Sequence, residues 1–173
     1  VKRVNGLLPA VISAFHHGIK HFFVPAENRF ELEYLSGATF YPIDHFQQLV
    51  DFFITGNQSF PTLSDAKDLQ ELYEKADTFN VDFGQIKGHE FAKRALTIAA
   101  AGMHNICLVG APGSGKTLLA RALQSILPPL GFSEILEVSQ IYSLIGKLNK
   151  DQPLITVRPF RQVHHTASKV SIV

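Results

Sequence analysis

The chain is 173 residues long, carries a formal net charge of +1, and is 46% apolar and 18% charged. That length holds one ordinary domain or two small ones, and the charge gives no global push toward nucleic acid or anionic lipid. No apolar run reaches the roughly 18 residues a membrane span needs, so no membrane partner is expected. The only cysteine, Cys107, excludes an internal disulfide framework and fits a reducing, cytoplasmic setting. It lies in the apolar run Ile106-Cys107-Leu108-Val109 and is expected to be a buried small hydrophobe. The opening Val1-Lys2-Arg3-Val4-Asn5 is not followed by the apolar stretch and cleavage site of a signal peptide, and the lack of an initiator Met points to a true N-terminus elsewhere.

Leu7 to Phe15 reads as a helix with apolar residues at helical spacing, stopped by Gly18. Phe22-Phe23-Val24 is a short strand ended by Pro25. Asn28 is placed to cap a second helix running to Leu35, with Glu31 at the capping-box spacing. Thr39-Phe40-Tyr41 reads as a strand broken by Pro42, and Asp44 as the cap of a helix from His45 to about Ile54. Strands separated by helices indicate βαβ units in a parallel sheet, an α/β class. Residues 56–81 begin with a run of turn formers and read as a linker with a short helix from Ala66 to Lys75.

A second unit is expected over 82–173. His89 to Ala101 is a helix ended by Gly102, and Ile106 to Val109 a buried strand. A helix from Gly115 to Ile126 stops at Pro128-Pro129. Ser133 is placed to cap a helix through Ile145 that ends at Gly146, and Leu154-Ile155-Thr156-Val157 reads as a strand. From Lys147 onward, Lys147, Lys150, Arg158, Arg161 and Lys169 face a single acid, Asp151. That distribution suits phosphate contact or a solvated loop face equally.

Between the predicted strand and helix stands Gly110-Ala111-Pro112-Gly113-Ser114-Gly115-Lys116-Thr117, which matches Gly-x-x-x-x-Gly-Lys-Ser/Thr. Glycines let successive main-chain N–H groups turn inward onto phosphate oxygens, and the loop delivers that nest to the positive end of a helix. Lys116 then reaches the β and γ phosphates of ATP, and the Thr117 hydroxyl is a ligand for Mg²⁺. Hydrolysis further requires an acid at the end of another strand. No apolar run ending in Asp or Glu follows Thr117 except Ile135-Leu136-Glu137, which falls in a predicted helix and reads as a surface acid.

The sequences around the loop carry a family resemblance. Gly88-His89-Glu90-x-Ala92-Lys93-Arg94-Ala95-Leu96 and Ala99-Ala100-Ala101-Gly102-x-His104-Asn105 precede it. Leu127-Pro128-Pro129, Arg158-Pro159-Phe160-Arg161 and His164-His165-Thr166-x-Ser168 follow it. Together they resemble the YifB/ComM group of magnesium-chelatase-like AAA+ proteins over essentially the whole chain. The resemblance implies that residues 1–55 are the C-terminal part of a Lon-protease-like (S5 domain 2-like) α/β domain, 56–81 the linker, and 82–173 the N-terminal part of an incomplete P-loop AAA+ parallel-sheet domain. It implies ATP and Mg²⁺ as cofactors, a hexameric ring, and DNA as a partner in a helicase that drives branch migration during natural transformation. A metal-chelatase motor subunit that inserts magnesium into a porphyrin is the alternative, and a non-enzymatic nucleotide-binding module the third reading. The segment from Asp82-Phe83 to Gly88 resembles the lining of the adenine pocket. Ile86 there is either a base contact or a core residue.

Departures are Ala111 in place of a commoner Pro, Gln162-Val163 in place of Ala-Pro, and an end at Val173 before the expected magnesium acid, sensor and arginine finger. His164-His165 do not read as a metal pair, because adjacent strand side chains point opposite ways and no Cys or nearby carboxylate completes a site. His16 and His17 read as surface residues at a helix end. Aligning Gly18-Ile19-Lys20 with the Lon-like pattern puts Leu8 at the position of the catalytic lysine. An aliphatic side chain cannot deprotonate a serine nucleophile, so no peptidase activity is expected. Incubation with a fluorogenic casein should release no signal, and measurable cleavage would overturn this reading.

Overall fold

The computed structural model describes residues 1–56, 58–74 and 81–162. Its elements are α1 (Leu7–His16), β1 (His21–Pro25), a 3₁₀ turn (Ala26–Glu31), β2 (Thr39–Ile43), α2 (Phe46–Thr55), α3 (Gln70–Glu74), α4 (Glu90–Gly102), α5 (Lys116–Ala122) and α6 (Phe132–Leu144). β1 and β2 pair in parallel, Phe22 opposite Phe40 and Val24 opposite Pro42, so the chain is α/β with a small two-stranded sheet. No helix among the described residues is long and apolar enough to cross a membrane. The chain forms two compact units. Unit 1 is Val1–Ala76 with Leu130–Thr156, and unit 2 is Asp77–Pro129 with Val157–Val173.

In unit 1 the apolar residues of α1 and β2 gather around Leu8, which is fully buried with Val11, Val24, Leu32 and Phe40. Pro42 continues β2 rather than breaking it. Thr39 N–H turns toward the β1 side, to Lys20 O (2.8 Å), and Phe40 N–H turns the other way, to Leu63 O (2.9 Å). By alternation Pro42 has Phe40's orientation, so its missing donor costs the β1 ladder nothing. The other face carries an aromatic cluster in which Phe23 lies 5.1 Å from Tyr41 and 5.7 Å from Phe60, centroid to centroid.

Several expectations are corrected here. Asn28 caps no helix: its side chain is buried, accepts from Val4 N–H (2.9 Å) and donates to Val4 O (2.8 Å), so it serves the N-terminal backbone. The segment after it is a 3₁₀ turn that stops at Glu31. α2 begins one residue after His45, and the Gln48 side chain, rather than Asp44, accepts from the Asp44 and His45 N–H groups (2.8 and 3.0 Å). Its end at Gly56, left-handed at φ 70°, follows the sequence reading. The segment read as a linker contributes Phe60 and Leu72 to the buried set and pairs Leu63 with Phe40. α6 starts from Gly131, whose N–H is taken by Glu134 Oε2 (2.9 Å), so Ser133 sits inside the first turn. Leu154 and Ile155 are buried but form no strand, because the Ile155 N–H goes to Ser139 Oγ (2.8 Å) instead of a ladder.

α6 belongs to unit 1 although 82–173 reads as one stretch in the sequence. Its inward stripe is Ile135, Ser139 and Ser143. Ser143 Oγ donates to Glu31 Oε2 (2.6 Å), and Asn28 Nδ2 donates to Glu31 Oε1 (2.9 Å). Glu31 is 1% exposed, so these donors replace the water it has lost. Removing the acceptor strands both donors. Glu31→Ala should lower the stability of unit 1 by about 2–3 kcal/mol and Ser143→Ala by about 1. All four tyrosines, Tyr34, Tyr41, Tyr73 and Tyr142, lie in unit 1 and tryptophan is absent. Urea titration followed by tyrosine fluorescence therefore reads this unit alone, and an unchanged midpoint for Glu31→Ala would contradict the network's role.

Candidate functional site: a glycine-rich loop and its cleft

Unit 2 is held by a small apolar cluster of Ile86, Leu96, Leu119 and Ala122, with Val81, Phe83, Leu108 and Leu123 packed against it. α4 supplies Leu96 from a helix rich in Ala and Leu, and α5 supplies Leu119 and Ala122 at a spacing that keeps one face inward. Gly102 is the last residue of α4 rather than a stop beyond it, and Met103 takes the left-handed position at φ 52°. The glycine is there for space. A Cβ at 102 would collide with the His104 ring.

The loop from Gly110 to Gly115 enters α5 without a side-chain cap. Gly113 and Gly115 sit at φ 76° and 77°, where a side chain costs about 1–2 kcal/mol. These two reversals curl the loop around the Lys116 ammonium, which donates to Gly110 O (2.9 Å), Ala111 O (2.6 Å) and Ser114 Oγ (3.2 Å). Ser114 N–H returns to Ala111 O (3.3 Å). A Cβ on Gly110 would lie 3.1 Å from Ser114 Oγ, a close approach that the serine side chain would have to relieve. The first N–H groups of α5, at Lys116 and Thr117, have no carbonyl of their own helix to reach. Thr117 is exposed, and its hydroxyl makes no hydrogen bond among the described residues. An ammonium held by two loop carbonyls thus stands beside the Thr117 hydroxyl at one helix start.

Lys116 and Thr117 open onto a cleft of ≈ 410 Å³ with Leu96, Leu108 and Leu123 in its floor and Phe160, Arg161 and Gln162 in its wall. The sequence reading singled out Arg158 to Arg161 as a motif but did not bring it to the loop. Its only signal was the density of bases there. Nor did it find His89, whose backbone is left-handed at φ 59° and whose Nε2 lies 3.6 Å from where a Gly115 Cβ would be. Ile86 is buried in the apolar cluster and is absent from the cleft lining. Its carbonyl accepts from the Lys93 ammonium. Phe83 N–H donates to Ser125 Oγ (2.9 Å), which fixes the Asp82–Ile86 segment on the turn after α5. Glu137 is an exposed acid of α6, in unit 1, as its helical setting suggested. His16 and His17 are exposed at the end of α1. His164-His165 lie outside the described residues, and no group of three or more potential metal-ligating side chains occurs among the described ones.

The family described as "Magnesium chelatase, subunit ChlI" matches residues 82–173, which include the loop and the cleft wall. The chain belongs to this magnesium-chelatase-like family, in its YifB/ComM group. Similarity to the group runs the length of the chain. An uncharacterised protein of Mycobacterium tuberculosis is 38% identical over 176 residues. The protein YifB of Salmonella typhimurium is 36% identical over 173 residues, and the competence protein ComM of Haemophilus influenzae 33% over 178. Each alignment takes in 100% of this chain and 32–33% of the relative, so the chain spans about a third of the length of the curated relatives it matches.

The predicted buried strand 106–109 needs correction. The residues are extended but unpaired, Val109 is 92% exposed, and Cys107 is exposed. Burial of such a run requires strands on both sides, and no strand among the described residues pairs with it. The magnesium-chelatase-like chain should therefore react with Ellman's reagent at Cys107 at the rate of a free thiol before any denaturant is added. Protection relieved only by urea would show the run to be buried.

Proposed function

We propose that the chain binds ATP with Mg²⁺ through Gly110–Thr117 and is the nucleotide-binding part of an AAA+ ATPase. The observation that carries this reading is the curled loop, with two left-handed glycines around the Lys116 ammonium and beside it a Thr117 hydroxyl that has no partner among the described residues. The residues fit a magnesium-bound triphosphate. Loop amides and Lys116 would hold the phosphates and Thr117 would be the protein's ligand to the metal, which would supply neutralisation of phosphate charge. Lys116 exchanges its bonds to Gly110 O and Ala111 O for phosphate oxygens. Burial of Ile86 favours the core reading of that residue over direct contact with adenine.

The likeness to ComM supports placing the whole protein among DNA-acting motors, a hexameric helicase that drives branch migration, with a Lon-like region over 1–55 and the AAA+ module over 82–173. The family match over 82–173 supports a second reading, a metal-chelatase motor subunit. Unwinding of branched DNA by the intact protein separates the two, since only the first reading expects it. The chain of 173 residues is proposed to bind rather than hydrolyse, because the acid nearest to the required pattern, Glu137, belongs to the other unit.

Lys116→Ala removes the ammonium from an exposed loop and leaves the apolar cluster intact. Titration with a fluorescent ATP analogue should show affinity falling by at least about tenfold, with an unchanged circular dichroism spectrum. Equal affinity in the two proteins would refute the phosphate reading.

A further inference from the structure

The segment that lines the cleft together with Lys116 is held in place by a clasp. Gln124 Nε2, in the turn that continues α5, donates to Arg158 O. Arg158 Nε donates to Pro128 O (3.0 Å), and the Arg121 guanidinium, on α5, donates to Gln162 Oε1. The segment 158–162 is thus tied at its far end to α5 and at its near end to the turn after α5 and to Pro128. Arg161, between the ties, lines the same cleft as Lys116 and Thr117. Among the described residues no Asp or Glu lines that cleft and no acid pairs with Arg161. An exposed arginine that no described acid pairs, lining the same cleft as the loop lysine on a segment tied at both ends, is a cation awaiting an anion.

We propose that Arg161 is a second phosphate-contacting residue, which takes the terminal phosphate of the nucleotide held by the loop, and that Arg121 and Gln124 are the residues that position it. The inference rests on the nucleotide reading given above and adds a specificity to it. Lys116 reaches the β and γ phosphates, so a guanidinium in the same cleft adds most to the ligand with more phosphate charge. Its planar fork suits two phosphate oxygens at once, which an ammonium cannot match. The site therefore prefers nucleoside triphosphate to diphosphate, and the preference resides in a segment about 45 residues beyond the loop. Without the clasp, an arginine on a loop would lose most of this contribution to the entropy of its own ordering.

The test uses the 173-residue chain, Mg²⁺, and fluorescent analogues of ATP and ADP titrated in parallel. Arg161→Ala should weaken ATP binding about tenfold and ADP binding far less, and Arg161→Lys should restore part of the difference. Arg121→Ala and Gln124→Ala should narrow the ATP/ADP ratio in the same direction with smaller effect, and raising the salt should narrow it in wild type more than in Arg161→Ala. Arg161 is exposed, so matched circular dichroism spectra are expected. If Lys116→Ala abolishes binding while Arg161→Ala leaves the ATP/ADP ratio unchanged, the Arg161 proposal fails and the loop reading stands. An equal loss for both nucleotides would also overturn the terminal-phosphate assignment. A wild-type chain that binds neither nucleotide sinks both.

Discussion

The site depends on one ammonium group held by main-chain carbonyls. Lys116 sits among Gly110 O, Ala111 O and Ser114 Oγ, and these bonds hold the loop in its curl. Charge-assisted hydrogen bonds are about twice as strong as neutral ones, so one lysine organises a loop whose Ala111 and Pro112 stay exposed. The glycines make the arrangement possible, because Gly113 and Gly115 take backbone angles that would strain any other residue. The lysine that the sequence motif marks for phosphate is therefore also the element that shapes the loop. In the proposed binding mode, Lys116 would exchange its loop acceptors for phosphate oxygens.

Legibility in the sequence followed the range of the interactions involved. α1, α2, α4 and α6 were readable because helix periodicity acts within a few residues, although the caps expected for α2 and α6 were misplaced. The loop was readable for the same reason, since its glycines and lysine act on one another across six positions. What misled the reading was structure decided by distant partners. Asn28 has the composition of a helix cap, but the backbone it satisfies belongs to Val4. Leu154-Ile155 has the composition of a strand, but a serine on α6 takes its N–H. Ile106 to Val109 has the composition of a buried strand, and no neighbour pairs with it among the described residues. Phe60 and Leu72 lie in a stretch whose turn formers suggested a linker, but Phe60 is buried against the aromatic face of unit 1 and Leu72 in its main apolar core.

Unit 1 has a different organising principle, a buried carboxylate. Glu31 collects Asn28 from its own turn and Ser143 from a helix more than a hundred positions along the chain. Arg3 adds a longer-range charge at 3.9 Å while its guanidinium lies 5.2 Å from the Phe30 ring centre. A hydrophobic contact would tolerate α6 at several rotations about its axis, whereas a serine aimed at a carboxylate tolerates one. Ser139 adds a second constraint on the same face, through the Ile155 N–H. The polar stripe of α6 thus specifies which surface it packs on, which its apolar pattern alone would leave open. Leu8, fully buried beside this network, has a packing role that a lysine at that position could not perform.

The two units share the chain in an interleaved way, and this bears on the site. The chain leaves unit 2 at Pro129, contributes Leu130–Thr156 to unit 1, and returns at Val157. The hydrogen bond from Arg158 Nε to Pro128 O closes that excursion at its neck, and Gln124 secures the returning strand of chain at Arg158 O. Closing a loop of this length costs only a few kcal/mol of chain entropy, a cost that grows slowly with length, so a few hydrogen bonds at the neck meet it. The same bonds set the position of Phe160, Arg161 and Gln162 in the cleft wall. The neck that lets the chain visit one unit is therefore the support of the site in the other. A local change at Pro128 or Arg158 acts on the cleft without touching the phosphate loop, which separates the shape of the loop, set by Lys116, from the electrostatics of the cleft it opens onto.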